Sequence, residues 1–154
     1  MSIEENLEKM GLKLPPAPQP AGNYSAAVRV GNLLFVSGQF PIENGALRYA
    51  GRVGAELTEQ EGYAAARLAA LNVLAQIKAA LGSLDRVEQL VRVEGHVASA
   101  PGWTNTPKVL DGASDLFVEV LGKRGMHART AHNPGVLPWN LAVELVVVVE
   151  VQDG

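Results

Sequence analysis

The apolar positions of this chain recur with two different periods, and each period predicts its own kind of element. From Glu59 to Leu81, Tyr63, Ala66, Ala70, Leu74, Ile77 and Leu81 fall at three- and four-residue spacing and leave Gln60, Arg67 and Lys78 to water. That spacing predicts an amphipathic helix. Thr58-Glu59-Gln60-Glu61 at its start is a capping-box pattern, and Gly82 supplies the stop. A second stripe of Leu110, Ala113, Phe117 and Leu121 predicts another helix after Pro107, closed by Gly122. Between the helices the period changes to two: Val91, Val93, Gly95 and Val97 alternate with Arg92, Glu94, His96 and Ala98, which predicts a half-buried strand over Val87 to Ala98. The nearly continuous valines from Leu141 to Val151 predict a strand covered on both faces. Ser25 to Val30 and Leu33 to Gln39 are β-rich runs joined at Gly31-Asn32, a two-residue hairpin signal. Pro41 ends the second run, Glu43-Asn44-Gly45 turns the chain, and Ala46 to Val53 is expected as a short third strand.

The resulting order, β-β-(β)-α-β-α-β, contains two crossovers of helical length. It predicts right-handed connections and an α+β fold with two main helices on one face of a mixed sheet. The other sheet face then needs a cover, and contacts between copies of the chain are the expected one. Residues 1–21 are expected as an extension, a short helix followed by the arm Leu14-Pro15-Pro16-Ala17-Pro18-Gln19-Pro20, with a single domain over 22–154.

Composition narrows the function classes. The chain has 154 residues, a size that supports one core. Hydrophobic residues make up 47 % and aromatic ones 5 %, so Val, Leu and Ala must form that core. The net charge of -3 supplies no overall field for phosphate backbones or anionic membranes, so neither nucleic acid nor membrane is expected as a partner. Cysteine is absent, which removes disulfides, thiolate metal sites and cysteine nucleophiles. With no export leader at Met1-Ser2-Ile3-Glu4, a cytoplasmic location is expected. Signatures of serine hydrolases, nucleoside-triphosphate sites and dinucleotide folds are missing, so those common chemistries are set aside.

Two residues stand out chemically. Glu144 lies among Leu141-Ala142-Val143 and Leu145-Val146-Val147, where an unpaired carboxylate would cost several kcal/mol and so calls for a cation, a proton or a cavity. Arg129 precedes it by a loop through Asn133-Pro134-Gly135 that is able to fold back and bring the two close. A guanidinium holds a carboxylate through two parallel hydrogen bonds, so an organic acid is a conceivable ligand. His96, His127 and His132 lack the spacing of known zinc helices, and no metal site is expected; pattern alone gives them no role.

Three blocks carry a resemblance. They are Gly31-Asn32-Leu33-Leu34-Phe35-Val36-Ser37-Gly38-Gln39-Phe40-Pro41, then Ala128-Arg129-Thr130, then Leu137-Pro138 followed by Val143-Glu144-Leu145. In this order and spacing they resemble the YjgF/RidA family of reactive intermediate deaminases, also called endoribonuclease L-PSP-like proteins. The resemblance implies a chorismate-mutase-like fold and a homotrimer whose sheets form a central barrel with clefts between subunits. It also implies hydrolysis of enamine or imine intermediates to 2-keto acids and ammonia without a cofactor. Arg129 takes the place of the family's carboxylate-binding arginine, Glu144 that of the acid acting on water, and Tyr24 that of a tyrosine closing the cleft. Thr130 and Ala131 follow Arg129 as expected substrate contacts, with Ala131 where many members carry cysteine. Asp111 aligns near a cleft asparagine. The chain resembles a divergent subgroup, and two other readings accompany the deaminase one: a catalytically weak trimer that binds a 2-keto acid-like ligand, and an endoribonuclease.

Overall fold

In a computed structural model describing residues Met1 to Asp153, the chain forms one mixed five-stranded sheet with two long helices on one side. The elements are α1 (Ile3–Lys9), β1 (Ala27–Val30), β2 (Leu33–Gln39), β3 (Ile42–Glu43), β4 (Ala46–Leu47), α2 (Glu59–Leu81), β5 (Val87–Val97), α3 (Thr106–Leu121), β6 (Ala128–His132) and β7 (Val143–Val151). The strand order is β1-β2-β7-β5-β6, antiparallel except for the parallel pair β5 and β6. β2 and β5 both run antiparallel to β7, so α2 and α3 are the two crossover helices expected.

The helix ends follow local rules. The Thr58 hydroxyl accepts from Glu61 N while the Glu61 carboxylate accepts from Thr58 N, and Gly82 ends α2 in the left-handed region. α3 begins at Thr106 with Pro107 in its first turn, where a missing N–H costs nothing. The apolar stripe of α2 is wider than its spacing predicts. Ala65, Ala69 and Val73 are buried beside Ala66, Ala70, Leu74 and Ile77, because this helix packs on both the sheet and α3. By length and composition α2 would pass for a membrane span, yet 61 % of its apolar window is buried inside this fold.

β7 alternates strictly, Val143, Leu145, Val147, Val149 and Val151 buried beneath the helices and Glu144, Val146, Val148 and Glu150 only half-buried. The expectation of a strand covered on both faces is therefore met on one face within a single chain. The opposite face carries an apolar stripe of Val28, Val30, Leu33, Phe35, Val146 and Val148, of which Val28, Val30, Leu33 and Phe35 are exposed.

Three local expectations change. Ala46 to Val53 does not make one strand. β4 ends at Leu47, pairs only with β3, and the chain then turns through Tyr49, whose φ is 59°, before an isolated bridge at Ala50. In β5 a register shift between Leu90 and Arg92 turns Val91 outward and Leu90 inward, and Ala98, beyond the strand, is buried. Residues 128–132, to which the apolar pattern assigned no element, form the edge strand β6. The first 21 residues pack on the domain: Ile3 and Leu7 join the core, and Gln76 donates to the Pro18 carbonyl at 2.6 Å.

Candidate functional site

Sheet parity decides where each expected site residue lies. Across paired strands, aligned residues point to the same face. Arg129 aligns with the fully buried Val93 and so faces α3, whereas Glu144 aligns with His96 on the helix-free face. Within one chain the two residues therefore lie on opposite sides of the sheet. The expected fold-back of the loop is corrected: β6 fixes Arg129 by its pairing with β5, and the sheet itself separates it from Glu144.

On the helix side, α3 and β6 enclose an open cleft of about 470 Å³ lined by Ser114, Val118, Met126, His127 and Arg129, among others. Asp111 and Ser114 are one turn apart on α3 and meet the same guanidinium. Arg129 Nη1 donates to Asp111 Oδ1 at 3.0 Å and to Ser114 Oγ at 3.1 Å. Among the described residues Arg129 bonds through Nη1 alone, so Nε and Nη2, two donors of the fork, stay available. Ala131 shares this face by register, aligned with Gly95 at the exposed edge.

His127 enters the cleft from the turn before β6. That turn packs so tightly on α3 that a Cβ at Gly125 would overlap the Phe117 carbonyl. His127 Nδ1 lies 2.6 Å from the Gly125 carbonyl and Nε2 lies 2.9 Å from Ser114 Oγ. A carbonyl only accepts, so Nδ1 carries the proton; in the neutral ring Nε2 then accepts from the Ser114 hydroxyl. Burial holds the His127 pKa below the ordinary imidazole value, the Gly125 carbonyl opposes this, and the nearby Arg129 charge adds to the lowering. The ring edge also meets Phe117, with centroids 5.9 Å apart.

On the opposite face, Glu144 sits over Gly38, where β2 breaks register between Val36 and Gln39. A Cβ at position 38 would overlap Glu144 Oε2, so a side chain there requires the carboxylate to move. Burial pushes the Glu144 pKa above the usual carboxylate range; His96 opposes the rise and Glu94 adds to it. Glu94 lies between two histidines, its carboxylate 3.4 Å from His96 Nε2 and 3.5 Å from His132 Nε2. The His96 contact is close enough for a charge interaction but misaligned for a hydrogen bond, so that buried nitrogen has no hydrogen-bond partner. The His96 contact comes first among the causes that hold the Glu94 pKa down. Thr130 aligns with Glu94 on this face and accepts from Arg92 Nη2 at 2.6 Å. Tyr24 is exposed, its hydroxyl accepting from Ala21 N at 3.2 Å, and it lines a small cavity with Gly38 and Trp139.

The expected residues thus divide into Arg129, Asp111 and Ala131 on one side and Glu144 and Thr130 on the other, with Tyr24 at the cavity beside the β2 irregularity. Ser114 belongs to these sites and was missed by sequence reasoning, while His127 and Gly38 were named there without a role in either one. The available signal for Ser114 was its place one turn after Asp111 on the polar side of the α3 stripe; nothing local marks His127. Among the described residues, no group of three or more His, Cys, Asp or Glu side chains is arranged to hold a metal ion.

Residues 4–151 match the family described as "YjgF/chorismate_mutase-like, putative endoribonuclease". The chain belongs to this YjgF family. Protein TCP17 of Trypanosoma cruzi is 44 % identical over 152 residues, covering 98 % of this chain and 95 % of its own. A Shewanella oneidensis MR-1 structure with the same endoribonuclease description superposes with a TM-score of 0.95 at 42 % identity, covering 98 % of this chain and all, 100 %, of the other. RidA from the Antarctic bacterium Psychrobacter sp. PAMC 21119 superposes with a TM-score of 0.63 at 28 % identity, over 88 % of this chain and 94 % of its own. This YjgF-family chain therefore shares the RidA fold while following the Shewanella backbone far more closely.

Proposed function

We propose that this chain hydrolyses reactive enamines and imines bearing a carboxylate, releasing a 2-keto acid and ammonia, with Arg129 as the anchor for the carboxylate. The observation that carries this reading is the placement of Arg129 at an open cleft with Nε and Nη2 bonded to no protein group among the described residues. Those donors suit a bidentate carboxylate, and an activated imine asks for little more than orientation and a proton carrier. In this reading Glu144 acts on water from a neighbouring copy, because its own chain holds it on the far side of the sheet. The exposed stripe of Val28, Val30, Leu33 and Phe35 supports such an assembly, a homotrimer by analogy with the family, in which sheet faces are buried against one another. No cofactor is required, and the cytoplasm, where such intermediates would arise, is the proposed location.

Coupled to an enzyme that generates 2-iminobutanoate, Arg129→Ala should lower ammonia release at least ~100-fold through loss of the anchor. Unchanged turnover ends the reading. Mixing Arg129→Ala with Glu144→Gln chains tests the division between copies: random assembly of a ring should restore about a quarter of the sites. No recovery would place both groups in one chain's site.

A second reading, a trimer that binds 2-keto acids without turnover, is favoured by the Asp111 contact. This carboxylate already neutralises part of the Arg129 charge and would repel an anionic ligand. Saturable 2-oxobutanoate binding by a protein that releases no ammonia would select it. Cleavage of RNA at low salt would instead support the activity in the family's description.

A further inference from the structure

The cleft beside Arg129 contains a proton-transfer pair that neither the family resemblance nor any sequence motif assigns. Ser114 Oγ is the shared atom. It donates to His127 Nε2, 2.9 Å away, and accepts from Arg129 Nη1 at 3.1 Å. The far side of the imidazole is fixed by the Gly125 carbonyl, so a hydroxyl, a base with a defined tautomer, an orienting acceptor and a cation line up in one chain. This is the hydrogen-bonded order expected of an activated hydroxyl.

We propose that Ser114 is a catalytic residue of this cleft, passing protons between His127 and a water that Glu144 of a neighbouring copy orients toward an imine held by Arg129, an assignment that rests on the imine-hydrolase reading above. The water oxygen forms a bond to the imine carbon as the C=N π bond breaks and its electron pair moves onto nitrogen, and the water proton moves to Ser114 Oγ as the serine proton moves to His127 Nε2. The imine nitrogen receives that proton back through the same hydroxyl, giving a carbinolamine. In the second half the carbinolamine hydroxyl proton travels by the same route to the nitrogen. The C–N bond breaks, ammonia leaves, the C=O bond of the 2-keto acid forms and His127 returns to its neutral form. No redox partner or cofactor enters the balance.

The surroundings favour a neutral imidazole, free to accept a proton. Arg129 on β6 is the positive charge beside it. The acids of α3 that share the cleft's rim are engaged elsewhere: Asp111 with Arg129, Asp115 with the Tyr63 hydroxyl at 2.7 Å, and Glu119 with Arg67 at 3.2 Å. Arg124, on the preceding turn, donates to the carbonyls of Asp85 and Val87. Burial therefore acts on His127 without a carboxylate bound to it, and its lowered pKa leaves it unprotonated at neutral pH.

The test compares wild type, Ser114→Ala and His127→Ala for ammonia release across pH. Ser114→Ala should lower kcat ~100-fold with KM within a few-fold, since the anchor remains. In wild type, kcat should fall as pH drops through a midpoint below that of free histidine, and His127→Ala should lose this limb. Added imidazole should restore part of the His127→Ala rate, which a merely structural role of the ring would not allow. Wild-type kcat in folded Ser114→Ala, or an unmoved acid limb in His127→Ala, overturns the relay while the imine reading stands. A wild-type protein that releases no ammonia sinks the imine reading and the relay together.

Discussion

The two faces of this sheet solve the problem of a half-buried charge in different ways. Beneath the helices, Arg129 is met by Asp111 and Ser114, and His127 is oriented by a backbone carbonyl, so each charged or polar group has a partner from its own chain. On the helix-free face, Glu144 is desolvated over a glycine, beside a histidine whose buried nitrogen finds no hydrogen bond, and next to a stripe of exposed valines and phenylalanine. The first is internally satisfied and offers spare donors outward. The second leaves a desolvated acid, an unpaired buried nitrogen and an apolar stripe that one chain does not cover.

The comparison breaks most dramatically if the helix-free face is made hydrophilic. Phe35→Asp should turn an associated protein into a single-chain species by light scattering, while the Ser114–His127 hydrogen bond survives on the far side; persistence of the assembly would show that this face is not the covered one. Gly38→Val is the next step down. Its side chain needs the space of the Glu144 carboxylate, and urea unfolding should show a loss of about 2 kcal/mol.

Smaller effects come from single protons. Glu144 is raised in the folded state, so its charge opposes folding above that pKa and the penalty disappears as pH falls through it. Glu144→Gln should therefore be the more stable protein at pH 7, by about 1 kcal/mol or less, and match wild type in acid. His127 is shifted the other way. With its folded pKa depressed, wild type should lose stability as pH falls below the unfolded histidine value, and His127→Gln should lose less over that window in paired thermal melts. A flat difference between wild type and variant in either series would remove that group from the account.

Much of the helix-side architecture was legible in the chain. Thr58 and Glu61 announced the start of α2, Gly82 its end, and Leu110, Ala113, Phe117 and Leu121 the buried side of α3. Each of these is a local signal with a local cause. The site was legible only in part, because its geometry depends on parity between strands. Ala128-Arg129-Thr130-Ala131-His132 has no apolar rhythm, being an edge strand half open to solvent, and so looked like a loop. Without that strand nothing indicates which side of the sheet Arg129 faces. The Ser114–His127 contact joins a helix to a turn beyond its end, and no spacing rule covers it. The outward turn of Val91 has the same character, since a register shift is invisible to a period of two.

β7 has a consequence for how the chain is made. It lies between β2 and β5 at the middle of the sheet, yet it leaves the ribosome after both. The early hairpin and the later β5–β6 pair must wait as separate half-sheets with apolar edges until this strand arrives to join them. α1 waits too, since Asn6 bonds to carbonyls of Glu119 and Val120, 113 and 114 residues further along. Pairings of such long sequence range are intrinsically slow to form and leave unpaired strand edges open until β7 joins them.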